Sequence, residues 1–187
     1  MIRPSHFIFF SMLLSSVVFG QTDDDSVPFN MQKQHQVGIG FASTGFSSNF
    51  SYFASPHYAF RYHRHWFGFT PFYGRLDGLA QQQDVGVGVD YRLYPFKNLS
   101  TTLLYFPVGV HYNYKWTDRS ERTAMYYKAG FGVETILGKR FSISLDANVG
   151  LGQTLSSKVE VSESAAFRSV SSLTFYFIPV IRISYGL

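Results

Sequence analysis

No cysteine occurs anywhere in the 187 residues. That excludes a disulfide framework, a thiolate metal centre and the lipid-bearing cysteine of a lipoprotein. Charge is scarce as well: Asp, Glu, Lys and Arg make up 15% of the chain, where about a quarter is usual in a soluble domain. The 16 Lys and Arg outnumber the 12 Asp and Glu and leave a formal charge of +4, yet the basic residues are scattered singly. Nucleic-acid recognition gathers them in a stripe or on one face, so no nucleic-acid partner is expected. Beyond residue 20 there is also no unbroken apolar run of the roughly 20 residues a membrane-crossing helix requires. Every later run is interrupted at alternate positions.

Aromatic residues are what the chain has in excess. Twenty Phe, 13 Tyr and 2 Trp bring them to 19% of the sequence, far too much apolar surface for a disordered chain. The length suits one domain. Its first segment reads as an address: Arg3 precedes an apolar run over residues 7–14, and Val18 and Gly20 stand at the small-residue positions of a cleavage site. Residues 1–20 are therefore expected to be a removable signal peptide, too short and without the flank for a membrane anchor. Residues 21–34, with three consecutive acids, a proline and several amides, read as a periplasmic linker. Asp23, Asp24 and Asp25 lack the alternate spacing and glycine turn of a calcium loop.

From residue 35 to residue 187 a two-residue period runs almost without a break, and helical periodicity is nowhere competitive. Eight segments carry it: residues 36–43, 49–63, 67–74, 84–94, 102–114, 127–137, 141–152 and 172–187. In the seventh, Phe141, Ile143, Leu145, Ala147, Val149 and Leu151 alternate with Ser142, Ser144, Asp146, Asn148, Gly150 and Gly152. Tight turns are expected at residues 64–65, 95–98 and 138–140, and long polar connections over 115–124 and 155–170. Short turns at one end and longer loops at the other describe an up-and-down barrel in an outer membrane, with the short turns facing the periplasm.

Alternation alone does not say which face is inside, but volume does. An eight-stranded barrel has an interior just wide enough for its side chains. One face of these strands holds most of the Phe, Tyr, Leu and Val, and the other is rich in Gly and Ser. The bulky face therefore belongs outside, against lipid. Aromatics gather near the strand ends as two candidate girdles: Tyr62, Trp66, Tyr94, Phe96, Phe141 and Tyr185 at the short-turn end, and Tyr52, Tyr73, Tyr112, Tyr114, Trp116, Tyr126 and Tyr127 at the other. Pro71, Pro107 and Pro179 fall inside spanning strands, where each is expected to mark a bulge or a lost ladder bond.

On these features the sequence resembles the small eight-stranded outer-membrane barrels of the OmpA/OmpX type. The final strand, with Tyr185 and Leu187 in phase, is similar to that family's assembly signal, and "YRLYPFKN" is similar to a strand-turn of uncharacterised barrels of this kind. The resemblance implies an all-β, eight-stranded antiparallel up-and-down transmembrane β-barrel in the outer membrane of a Gram-negative bacterium. It implies contact with outer-membrane lipid and lipopolysaccharide, and with the barrel-assembly machinery through the last strand. No peptidoglycan-binding domain is expected after the barrel.

No enzymatic motif stands out. Ser55 and His57 share a strand face, and small barrels that modify lipid A use Ser and His, but in a serine-rich chain such a pair arises by chance and neither family's motif is visible. His35, His63, His65 and His111 show no metal-binding arrangement, and no cofactor is expected. More informative are Arg61, Asp90, Arg92, Glu134, Asp146 and Arg182, which the alternation points inward in the half nearer the short turns. Three cations and three anions in a narrow lumen must find partners, which predicts a salt-bridged plug. The expected function is structural, or a surface interaction through the extracellular loops. The alternatives are a narrow channel for small or apolar solutes, as OmpW-like barrels are thought to be, and a lipid A-modifying barrel enzyme.

Overall fold

The computed structural model describes residues 34–44, 50–77, 82–95, 101–118, 120–138, 140–159 and 173–187. The expected signal peptide, most of the linker, Phe96 and much of the last long loop lie outside them. Eight strands follow in chain order: β1 (Gln34–Thr44), β2 (Phe50–Tyr62), β3 (His65–Asp77), β4 (Gln82–Leu93), β5 (Thr102–Thr117), β6 (Ser120–Leu137), β7 (Phe141–Val159) and β8 (Leu173–Gly186). Each pairs antiparallel with its sequence neighbours, and β8 pairs with β1 to close the barrel. Leu187 N donates to His35 O at 2.8 Å and fastens the seam at the short-turn end.

Closure fixes the stagger of the strands. Direct partners lead from Val37 through Tyr58, Phe69, Val89, Val110, Tyr127 and Leu151 to Phe175. That residue is ten short of Tyr185, which faces Val37 across the closing seam. All eight members of this path belong to the apolar face. They are among the large apolar side chains left exposed on the outer wall, which reach 65% exposure at Val149 and 82% at Phe175. The buried side chains are instead largely polar or charged, Arg61, Asp90, Glu134, Asp146 and Arg182 among them. A soluble barrel has the reverse polarity, so the wall is built for hydrocarbon outside and a polar lumen within.

The prolines sit where one ladder is interrupted. Pro56 and Pro71 stand opposite each other in the break between Ala54–Tyr73 and Tyr58–Phe69, while each keeps its partner on the other side, Ile39 and Val87 respectively. Pro107 faces Arg92 on β4 and lies in the break of the β5–β6 ladder. Pro179 faces Ala147 and lies just past the last β1–β8 pair. The register is the same on both sides of the internal breaks, so these are lost ladder bonds rather than bulges. The register shift instead lies between Thr123 and Ala124, where β7 carries Leu155 as an extra residue.

Two connections differ from the sequence expectation. β5 and β6 stay paired up to Thr117–Ser120, so most of residues 115–124 form the top of a hairpin and not a long loop. β7 likewise continues to Val159. Strands β5, β6 and β7 have 16, 18 and 19 residues, well beyond the roughly 9–11 that span a bilayer. Above the hydrocarbon both faces of a strand meet water, which removes the alternation that would have revealed these extensions. At the opposite end the β6–β7 turn places Gly138 at φ 70°, with open space where a side chain would begin, so glycine serves conformation there rather than packing.

Val149→Arg is expected to cost about 2–4 kcal/mol if its side chain meets the bilayer midplane, measured by reversible unfolding in lipid vesicles. Val149→Leu should stay within about 0.5 kcal/mol.

Candidate functional site

The lumen is filled in layers. Nearest the short turns, Arg61 of β2 and Glu134 of β6 form a direct ion pair. Tyr94, just past β4, donates its hydroxyl to Glu134 Oε2 at 2.6 Å and accepts from Arg61 Nη2 at 2.9 Å. β2, β6 and the chain just past β4 are thereby tied together across the lumen. The Arg61 guanidinium also lies 4.7 Å from the centre of the Tyr94 ring, a distance at which ring and cation attract.

Above this sits Arg92, held between two aromatic rings. Its guanidinium carbon is 4.2 Å from the Trp66 ring and 4.6 Å from the Tyr105 ring. Trp66 donates its indole N–H to Gln36 Oε1 at 2.8 Å, and the Tyr105 hydroxyl donates to Asp146 Oδ1. Arg182 donates to Asp146 and reaches Asp90 Oδ2 at 3.5 Å. Asp90 collects further donors: Lys128 Nζ at 2.8 Å, Thr70 Oγ1 at 3.1 Å and the His111 ring at 2.9 Å. A third group lies nearer the long-loop end, where Asp84 accepts from Asn113 Nδ2 at 2.7 Å and pairs with Lys115 at 3.2 Å.

The six inward charges read from the sequence are thus not one ring. Arg61 meets Glu134, and Arg182 meets Asp146 and Asp90. Arg92 makes no ion pair among the described residues and is held by aromatic faces instead. Sequence reasoning missed Lys128 and His111 as partners of Asp90, although both lie on the inward face of their strands. It also missed Tyr105, whose parity matches His111 and Asn113. Pairing across the lumen depends on the stagger of the wall, which no single strand reveals.

Several aromatics of the expected girdles require correction. Trp66 is fully buried and Tyr94 nearly so, both inside the lumen. Tyr126 also turns inward, with its ring centre 5.1 Å from that of Tyr176. The reason is parity: Trp66 shares a face with Gly68, Tyr94 with Arg92 and Tyr126 with Lys128. Tyr62, Tyr73, Tyr112, Tyr127 and Phe141 do point outward and are exposed. Tyr114 stacks on Trp116, and Tyr185 packs edge-on against Phe141. Nothing is described of the side chain of Tyr52. On the outer wall near the short turns, Tyr58 hydrogen-bonds His35 at 2.5 Å and Tyr91 hydrogen-bonds His65 at 2.6 Å, two aromatic anchors that sequence reasoning also missed.

Large lumen side chains fit because glycine lies beneath them. A first side-chain carbon on Gly68 would fall 2.2 Å from the Trp66 ring, and one on Gly132 would fall 2.4 Å from Tyr105. Phe72 also lies over a glycine, Gly86, but there the Tyr112 backbone carbonyl, 2.2 Å from the same position, excludes a side chain as well. The interior is therefore not simply small; Trp66 and Tyr105 are each accommodated by a missing side chain.

Ser55 and His57 engage separate neighbours. Ser55 Oγ donates to Gly40 O at 3.2 Å, and the His57 ring bonds Ser184 Oγ at 3.0 Å. Neither bond joins the two residues, and none of the described contacts gives His57 a carboxylate to orient it, as a nucleophilic triad requires. Among the described residues no group of three or more His, Asp or Glu side chains is arranged to hold a metal ion.

A closed eight-stranded antiparallel barrel with an apolar exterior and a charged, filled lumen is the fold of the small outer-membrane barrels. The chain is similar to the crystal structure of Neisserial surface protein A, with a TM-score of 0.57 at 12% identity over 83% of this chain and 97% of that one. Also similar are the N-terminal β-barrel domain of Pseudomonas aeruginosa OprF, at TM-score 0.45 and 9% identity over 83% of this chain and 100% of that one, and the P. aeruginosa outer-membrane protein OprG, at 0.47 and 12% over 83% and 96%. No protein-family model matches the chain, and no curated protein matches it.

Glu134→Ala should destabilise the barrel by about 3–5 kcal/mol, because it leaves Arg61 buried without its counter-charge. Adding Arg61→Ala should recover part of that loss, and a double-mutant cycle by unfolding in vesicles measures it. Gly68→Ala is expected to cost about 1–3 kcal/mol through overpacking against Trp66, read in the same assay.

Proposed function

We propose that the protein is an outer-membrane barrel of a Gram-negative bacterium whose lumen is closed, and that it acts without catalysis, through its place in the membrane and its extracellular loops. The observation that carries this reading is the continuous side-chain fill from Arg61, Tyr94 and Glu134 to Arg92 between Trp66 and Tyr105 and on to Arg182, Asp146 and Asp90. Charges fixed by hydrogen bonds from several strands do not part without breaking buried pairs. In the non-catalytic part of the reading, His57 is engaged by Ser184 and not by Ser55. The outward apolar wall is matched to outer-membrane lipid, with lipopolysaccharide in the outer leaflet, and β8 is the segment offered to the assembly machinery.

Planar-bilayer recording tests the closed lumen. The refolded wild-type barrel should pass little or no steady current, and sustained single-channel conductance would replace this reading with that of a narrow channel. Mass analysis of lipid A from cells with and without the protein should show the same acyl pattern in both; an altered pattern would establish an enzyme. In cell fractionation the protein should accompany outer membranes and migrate faster on gels unheated than boiled, whereas recovery in the soluble periplasm would overturn the membrane assignment.

A further inference from the structure

On the long-loop side of the plug the lumen widens into a cavity of about 90 Å³. Its walls include two aromatic pairs, Phe53 with Phe72 and Tyr126 with Tyr176, whose ring centres lie 5.9 and 5.1 Å apart. Lys115, Lys128, Arg182 and His111 also line it, and none of the four lumen carboxylates does. Asp84 and Asp90 touch these cations from outside the cavity wall. A cavity that presents cations and aromatic faces is complementary to an anion with an apolar body.

Charge accounting points the same way. Among the described residues, Arg61, Arg92, Lys115, Lys128 and Arg182 face Asp84, Asp90, Glu134 and Asp146 in the lumen, one cation more than these carboxylates balance. That excess stands before Arg122, hydrogen-bonded to Thr154 nearer the rim, is counted. Arg92, in the plug and outside the cavity wall, contributes no ion pair among the described residues, so the surplus is a charge of the lumen as a whole, carried next to the cavity rather than in its lining. Two wall residues carry buried polar atoms with no protein partner, the donor Nε of Arg182 and the acceptor Oδ1 of Asn113. At about 90 Å³ the cavity is several times larger than the roughly 10–15 Å³ that a single water needs.

We propose that this cavity is a binding site for a small carboxylate with a flat apolar body, its carboxylate set between Lys128 and Arg182 and its body between the two aromatic pairs. Lys128 directs one of its three N–H donors to Asp90 and has donors left for a ligand. The added negative charge balances the lumen. The inference stands beside the closed-lumen reading and does not rest on it, since conduction and ligand binding are separate measurements.

Isothermal titration of the full chain, refolded in detergent micelles, tests it with benzoate as the probe and empty micelles as the blank. Benzoate should bind, and benzamide, of the same shape without the charge, should bind at least about tenfold more weakly, as loss of a charge-assisted bond in a buried site entails. Lys128→Met should weaken benzoate by a similar factor. Ala42→Phe, which fills the cavity from β1 and leaves every charge in place, should abolish binding while the heat-shifted gel mobility shows a folded barrel. Should Lys128→Met fail to fold, the benzoate-to-benzamide ratio and Ala42→Phe decide the matter. Absence of benzoate binding to the folded wild type, equal binding of benzamide, or full binding to Ala42→Phe would overturn the proposal. So would displacement of benzoate by equimolar chloride, which would mark a site for inorganic anions only.

Discussion

A backbone N–H or C=O that faces hydrocarbon has no water to fall back on, and a sheet with a free edge would expose a whole row of them. The β1–β8 seam, closed out to Leu187 and His35, removes that edge. The constraint reaches into the sequence at the prolines. Pro56, Pro71, Pro107 and Pro179 each lack a donor, and each keeps a paired neighbour on one side while the ladder on the other pauses or, at Pro179, ends. Placing Pro56 opposite Pro71 lets two missing donors share one break. The wall tolerates such breaks because the stagger continues unchanged past them.

Once the wall is closed, its interior must be filled, and the hydrophobic effect offers little help in a polar lumen between lipid walls. Packing there relies on directed contacts: ion pairs, phenol-to-carboxylate bonds and a guanidinium between two rings. Such groups are strong only when every member has a partner. Asp90 shows how this is met, accepting from Lys128, Thr70 and His111 at once. The result is a core whose cohesion is electrostatic and whose surface is apolar, with the usual distribution inverted.

Strand number, order and facing are legible in the sequence because lipid on one side and a narrow lumen on the other impose the strictest alternation a strand can have. Val149 and Asn148 are assigned to opposite faces by nothing more than their parity. Trp66, Tyr94 and Tyr126 are misplaced when closeness to a strand end is given precedence over parity; their neighbours Gly68, Arg92 and Lys128 already mark the inward face. The hairpin over residues 115–124 is hidden because alternation fades above the bilayer. The partners of each lumen charge are not legible at all, since Arg61 and Glu134 lie on β2 and β6 and meet only after the stagger has turned both toward the same level.

The fit of bulky lumen residues over glycines has a consequence for how this chain can change over time. Trp66 with Gly68 and Tyr105 with Gly132 are knob-and-hole couples. Filling the hole alone produces a clash, and shrinking the knob alone leaves a void in a charged interior. Substitutions inside the barrel are therefore expected to travel in pairs, whereas an outward Val or Phe can drift to any other apolar residue by itself. Sequence divergence in such a molecule would run at two rates, fast on the skin and slow in coupled steps within, so relatives can differ at most positions and still share one wall.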